Sequence, residues 1–138
     1  MNAEALLDTN VLLYAVSTAR NERAKRDRAR ELLVSRAVGF STQVFAEFYV
    51  NATRKRFPRL KHEEAVAILA PLKALPVQPL TLEVVWAAFA VRDLHGISYW
   101  DAAIIGAAQL LGCKTVWSED LNDGQDYGGV VVLNPFLE

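Results

Sequence analysis

Acidic residues stand at four places in this chain where the surrounding pattern is apolar. Asp8 interrupts "LLDTNVLLYA", directly after a short apolar run, and Glu47 lies in "TQVFAEFYV" between Ala46 and Phe48. Asp101 opens "SYWDAAIIGAAQLLG", and Glu119, Asp120 and Asp123 follow "KTVW". Carboxylates brought to one point repel one another. At about 4 Å and an effective dielectric near 20, each pair costs about 4 kcal/mol. Protonation or a cation must relieve that repulsion. No cluster of His or Cys accompanies the acids, since His62, His95 and Cys113 are isolated, so nothing points to zinc. An all-oxygen set favours Mg²⁺ or Mn²⁺. Such an ion orients a water, lowers its pKa and neutralises a phosphoryl transition state.

Each acid also has a local role open to it. Asp8 can cap a helix that begins with "TNVLL". Asp101 completes a capping box with Ser98 in "SYWD". Glu47 can sit at the edge of its helix face, and Asp120 and Asp123 fall in a polar turn marked by "NDG". These roles need not exclude a metal, because one carboxylate oxygen can take a backbone N–H while the other faces a cation.

The elements that must bring these residues together alternate in type. Leu6 and Leu7 close a first strand, and "NVLLYAV" continues as helix. The segment "STARNERAKRDRARELLVSRA" has helical character, with Ala24, Ala29, Leu32 and Leu33 on one face. Phe40 and Ser41 form a short strand. A helix from Ser41 or Thr42 ends by "RKRFP", because Pro58 disfavours helix at Phe57. A further helix is predicted from about Lys61 to Leu72, then a short strand in "LPVQPL" and a helix capped by Thr81. Gly96 separates that helix from the one in "SYWDAAIIGAAQLLG", which is apolar on almost all sides and must lie deep; Gly112 ends it. "KTVW" and "GVVVL" read as central parallel strands. The pattern predicts one three-layer α/β/α domain over residues 1–138, with a short parallel sheet of four or five strands. In such sheets ligands gather beyond the carboxyl ends of the strands. Asp8, Asp101 and the acids after "KTVW" can reach that edge.

A chain of 138 residues, 52% of them apolar, can bury a sound core and is not a disordered one. No stretch approaches the twenty or so apolar residues of a membrane span, and no signal peptide is expected before Leu6. A lone Cys113 fits a reducing, cytoplasmic compartment. The net charge of −1 conceals an asymmetry. Residues 1–62 carry twelve Lys/Arg against six Asp/Glu, a net of +6; residues 63–138 carry three against ten, a net of −7. A basic rim beside an acidic centre suits an anionic polymer that meets a metal. The basic residues fall in two groups, Arg20, Arg23, Lys25, Arg26 and Arg28, then Arg54, Lys55, Arg56 and Arg59. They are candidates for backbone contacts rather than sequence readers.

Taken in order, "LLDTNVLLYA", "TQVFAEFYVNATRK", "SYWDAAIIGAA" and "SEDLNDGQDYGGVVVLNPF" resemble the PIN-domain family, and within it the VapC-type toxins of toxin–antitoxin pairs. The resemblance implies RNA cleavage with Mg²⁺ or Mn²⁺. It places the family's acids on Asp8, Glu47, Asp101 and either Asp120 or Asp123. Asp120 is favoured because it lies nearer the strand end. The same resemblance puts supporting hydroxyl or amide groups on Thr9, Asn10 and Ser98. It also implies a homodimer and a VapB-like antitoxin whose tail crosses the active-site groove.

Two other readings compete with this one. A partner-binding protein without catalysis would use Phe45, Phe48, Tyr49 and the aliphatic side of Val66 to Leu72 as a contact surface, although the same residues can be core. A phosphatase or phosphoacceptor built on Asp8 fits poorly, since Asn10 stands where a second Asp would be needed and Lys114 precedes its strand.

Overall fold

The computed structural model describes residues 2–35, 37–55 and 59–137. Its order is β1 (Ala5–Leu7), α1 (Thr9–Ala15), α2 (Arg23–Leu33), β2 (Val38–Ser41), α3 (Thr42–Val50), α4 (His62–Leu69), β3 (Val77–Gln78), α5 (Leu82–His95), α6 (Tyr99–Leu110), β4 (Thr115–Trp117), β5 (Asp126–Tyr127) and β6 (Val130–Leu133). The strands lie in the order β3-β2-β1-β4-β6-β5. β1 pairs in parallel with both β2 and β4, and β4 with β6. The three-layer α/β/α arrangement expected from the alternation of elements is the one observed.

The sheet has six strands rather than four or five. The sixth, β5, runs antiparallel to β6. It holds only Asp126 and Tyr127 and returns through Gly128 and Gly129, both at positive φ. Two residues are too few to leave an alternation in the sequence.

Leu6, Leu7, Val116 and Val132 are fully buried, as residues of central strands covered on both faces must be. Helix α6 lies against β2, β3, β4 and β6, and α5 packs on α6. Gly106 allows that contact, because a Cβ there would stand 3.2 Å from Ala87 Cβ and from the α5 backbone at Val84 and Ala88. On α6, Ala102 to Ala108 are all buried, as its apolar circumference requires. Helix α1 packs on α2 and α3. Phe48 is fully buried, while Phe45 and Tyr49 pack against the core, so these aromatics serve packing.

Several helix ends differ from expectation. α4 stops at Leu69 and a 3₁₀ turn, Ala70–Ala74, follows, since Pro71 has no N–H to continue the helix. α3 continues into a π-helical turn, Asn51–Lys55. The expected stop at Phe57 and Pro58, like Arg56, lies outside the described residues. Among the described residues no helix is long and apolar enough to cross a membrane.

Candidate active site

The parallel strands deliver their carboxyl ends to one edge, and the acids meet there. Asp8 follows β1 and caps α1, its Oδ1 accepting the Thr9 N–H at 2.7 Å. Its other oxygen accepts the Ser118 hydroxyl at 2.7 Å, from the residue directly after β4. Both oxygens are therefore held, and the residue is only 7% exposed. Glu47 projects from α3, with Oε1 accepting the Thr9 hydroxyl at 2.7 Å and Oε2 facing Gln43 Nε2 at 3.4 Å. Asp120 Oδ2 accepts from Asn10 Nδ2 at 3.0 Å, and the Asp120 N–H donates to Ser118 Oγ at 3.1 Å. Asp101 sits in the first turn of α6, whose capping hydroxyl is Ser98. Asp8, Thr9, Asn10, Glu47, Asp101 and Asp120 together line one open cavity of about 250 Å³, with Gln43 and Asn51 on its α3 side.

The acids lie close enough to feel one another. Burial pushes the Asp8 carboxyl up from 3.8 to about 6. The hydrogen bonds from Ser118 and Thr9 oppose the shift, and the charges on Asp120 and Glu47 add to it. A buried carboxylate among acidic neighbours is the situation a cation relieves. Asn10 supplies a second sign. Its amide nitrogen faces Asp120, which leaves Oδ1 buried without a donor among the described residues. The donor set is entirely oxygen, and it suits a hard divalent ion. Among the described residues no three acidic, His or Cys side chains are gathered tightly enough to ligate one ion as they stand. Ser118 holds the carboxylate of Asp8, Thr9 and Gln43 that of Glu47, and Asn10 that of Asp120.

Not every anticipated residue reaches the cavity. Asp123 Oδ1 accepts the Asn134 N–H at 2.8 Å and closes the loop before the C-terminal segment. Ser98 Oγ accepts the Asp101 N–H at 3.2 Å, as a helix cap. Glu119 turns aside to the Tyr14 hydroxyl and to Lys25, whose Nζ lies 2.9 Å away. Lys25 is thus committed to an internal ion pair. Arg26 faces Asp27 at 3.4 Å, and Arg28 donates to the Pro135 carbonyl at 3.2 Å. Arg20, Arg23, Arg54 and Lys55 are exposed. Ser118 and Gln43 were not anticipated. A hydroxyl directly after "TVW", on the same edge as Asp8, was the available signal for Ser118. Gln43 stands four residues before Glu47 and so shares its helix face.

Comparison with known proteins agrees with the architecture. The chain matches the PIN domain family over residues 5–122. No curated protein matches it. Among solved structures, FitAB bound to an IR36 DNA fragment is similar at 25% identity and a TM-score of 0.69, covering 97% of both chains. A toxin–antitoxin complex from Klebsiella pneumoniae is similar at 20% identity and 0.68, covering 96% of this chain and 98% of that one. VapC20 of Mycobacterium tuberculosis, a sarcin–ricin loop cleaving toxin, is similar at 19% and 0.66, covering 84% and 89%.

Proposed function

Because the chain belongs to the PIN-domain family, we propose that it is a Mg²⁺- or Mn²⁺-dependent endoribonuclease and the toxin of a VapBC-type pair. One observation carries the proposal: Asp8, Glu47, Asp101 and Asp120, distant in sequence, line a single cavity at the carboxyl edge of the sheet. Asp8 and Asp101 are the principal ligands, and Glu47 and Asp120 complete the set. The bound ion supplies charge neutralisation at phosphorus and a more acidic water.

The chain's own residues do the rest. Ser118 and the Thr9 N–H fix both oxygens of Asp8, so its orientation is set before substrate arrives. The Thr9 hydroxyl does the same for Glu47, and Asn10 for Asp120. Glu47 and Asp120 are the carboxylates left to orient a water, since each is less buried than Asp8. No His pair is available to use the 2′-hydroxyl as nucleophile. Arg54 and Lys55, exposed past Asn51, offer cations to the substrate backbone.

FitAB and the Klebsiella protein are toxin–antitoxin or DNA-bound assemblies. That supports a VapB-like antitoxin as partner for this chain; the homodimer is proposed on the family resemblance alone. The test is cleavage of RNA by the purified, antitoxin-free protein. Mg²⁺ should permit cutting, and EDTA or Asp8→Asn should abolish it; equal cutting in all three overturns the reading. The second reading is a PIN protein that binds partners without catalysis. An inert wild type in the same assay, with antitoxin capture intact, would decide for it.

A further inference from the structure

We propose that Trp100, with the apolar cleft beside it, is a stacking subsite for a base of the single-stranded RNA next to the bond being cut. The inference rests on the nuclease reading and extends it to how substrate is positioned.

A second cavity, of about 430 Å³, adjoins the acidic one. Its apolar walls are Trp100, Leu80 and Ala46, and it shares Gln43 and Glu47 with the acidic cavity. Gln43 forms the partition. Its Nε2 donates to the Trp100 carbonyl at 3.1 Å and faces Glu47 at 3.4 Å. The volume falls within the roughly 300–1,000 Å³ of small-ligand clefts. Trp100 precedes Asp101 on the first turn of α6, and its indole packs edge-on against Tyr99 at 4.9 Å. The residue is nevertheless 55% exposed. Together with Leu80, 44% exposed, it leaves an open apolar face next to a charged site.

The layout of α3 decides what the occupant is. Gln43 and Glu47 share one side of α3, and Asn51, Arg54 and Lys55 follow in the π-helical turn that continues it. Gln43 and Glu47 border the apolar cleft, Glu47 and Asn51 line the acidic cavity, and Arg54 and Lys55 are exposed at the end of the π-helical turn. An aromatic face, a phosphate site and cations match a single strand of nucleic acid, whose bases stack while its backbone meets positive charge. Every base has a π face, so the subsite predicts weak sequence preference at that nucleotide.

The experiment measures binding of a fluorescein-labelled, single-stranded RNA to protein carrying Asp8→Asn, so that nothing is cut. Trp100→Ala should weaken binding about 5- to 150-fold, and Trp100→Phe should retain most of the affinity. One abasic nucleotide, moved along the RNA, should reproduce the loss at a single position when Trp100 is present and add nothing to Trp100→Ala. Unchanged affinity in Trp100→Ala overturns the proposal, as does an abasic loss that is additive with it. A change in solution mass on Trp100→Ala also overturns it, since the indole then faces protein. Cleavage by the wild type with Mg²⁺ is read separately. RNA cut without dependence on Trp100 removes the subsite alone, whereas base-dependent binding without cutting removes the nuclease alone.

Discussion

Asp8 is the residue on which most of the site's physics converges. Its carboxyl titrates near 6 in the fold against 3.8 unperturbed, chiefly because it is buried. A carboxyl whose pKa rises on folding favours the protonated native state. Its contribution is fully present below the unfolded pKa and is lost as pH rises through about 6. The shift corresponds to about 3 kcal/mol by pH 7. In EDTA, the unfolding free energy of the wild type should therefore fall between pH 4 and pH 7.5 by about that much relative to Asp8→Asn. Urea melts across that range measure it, and parallel curves would refute it. Added Mg²⁺ should restore stability above pH 6 and do little at pH 4, where Asp8 is protonated. Ser118 holds one Asp8 oxygen from a fully buried position. Ser118→Ala should lower cleavage or metal affinity about 10- to 100-fold, as loss of an outer partner does. Ser98→Ala should leave metal affinity near wild type and weaken only the start of α6, because that hydroxyl caps the helix.

At the scale of elements, the site depends on short strands held in register. β2 approaches its neighbours so closely that Gly39 has no room for a side chain. A Cβ there would lie 2.8 Å from the Pro76 carbonyl oxygen and 2.9 Å from both Ala3 Cβ and Leu111 Cδ2. Two of those atoms belong to backbone or to a short side chain and cannot swing away. Gly39→Ala should cost about 1–3 kcal/mol, read from the urea midpoint. It should also loosen α3, which starts at the end of β2 and carries Glu47. Helix α6 illustrates the converse case. Its buried length from Ala102 to Ala108 and the open first turn holding Asp101 were both apparent from the run of apolar residues after "SYWD". The two-residue strands β3 and β5 differ in legibility. Prolines bracket β3, and Gly128 and Gly129 mark the turn out of β5, but two residues are too few to show a strand pattern, and β5 forms because β6 offers it a partner.

Over the whole molecule, charge is distributed less simply than a basic half and an acidic half. Lys25 is tied to Glu119 and Tyr14, and Arg28 to Glu31 and the Pro135 carbonyl, so part of the basic segment braces α2 against the C-terminal loops. Arg54 and Lys55 are exposed. Replacing both with Ala should reduce the slope of log affinity for RNA against log salt by roughly 1.4 for a single strand. Lys25→Ala should leave the slope unchanged and lower the melting temperature instead. Equal slopes in the two variants would refute the division.

Local pattern was enough to settle the alternation of strands and helices, the depth of α6, and the charges Asp8 and Glu47 set among apolar residues, while it left Asp120 and Asp123 open. A charge inside such a run is visible without knowing its neighbours. What the chain order could not disclose was which donors hold those acids. Ser118 meets Asp8 across 110 residues and Asn10 meets Asp120 across the same span. Nor could it show that Glu119, one residue from Asp120, turns away to Lys25. Adjacent residues after a strand end differ in direction, and only the packed sheet edge determines which one enters the cavity.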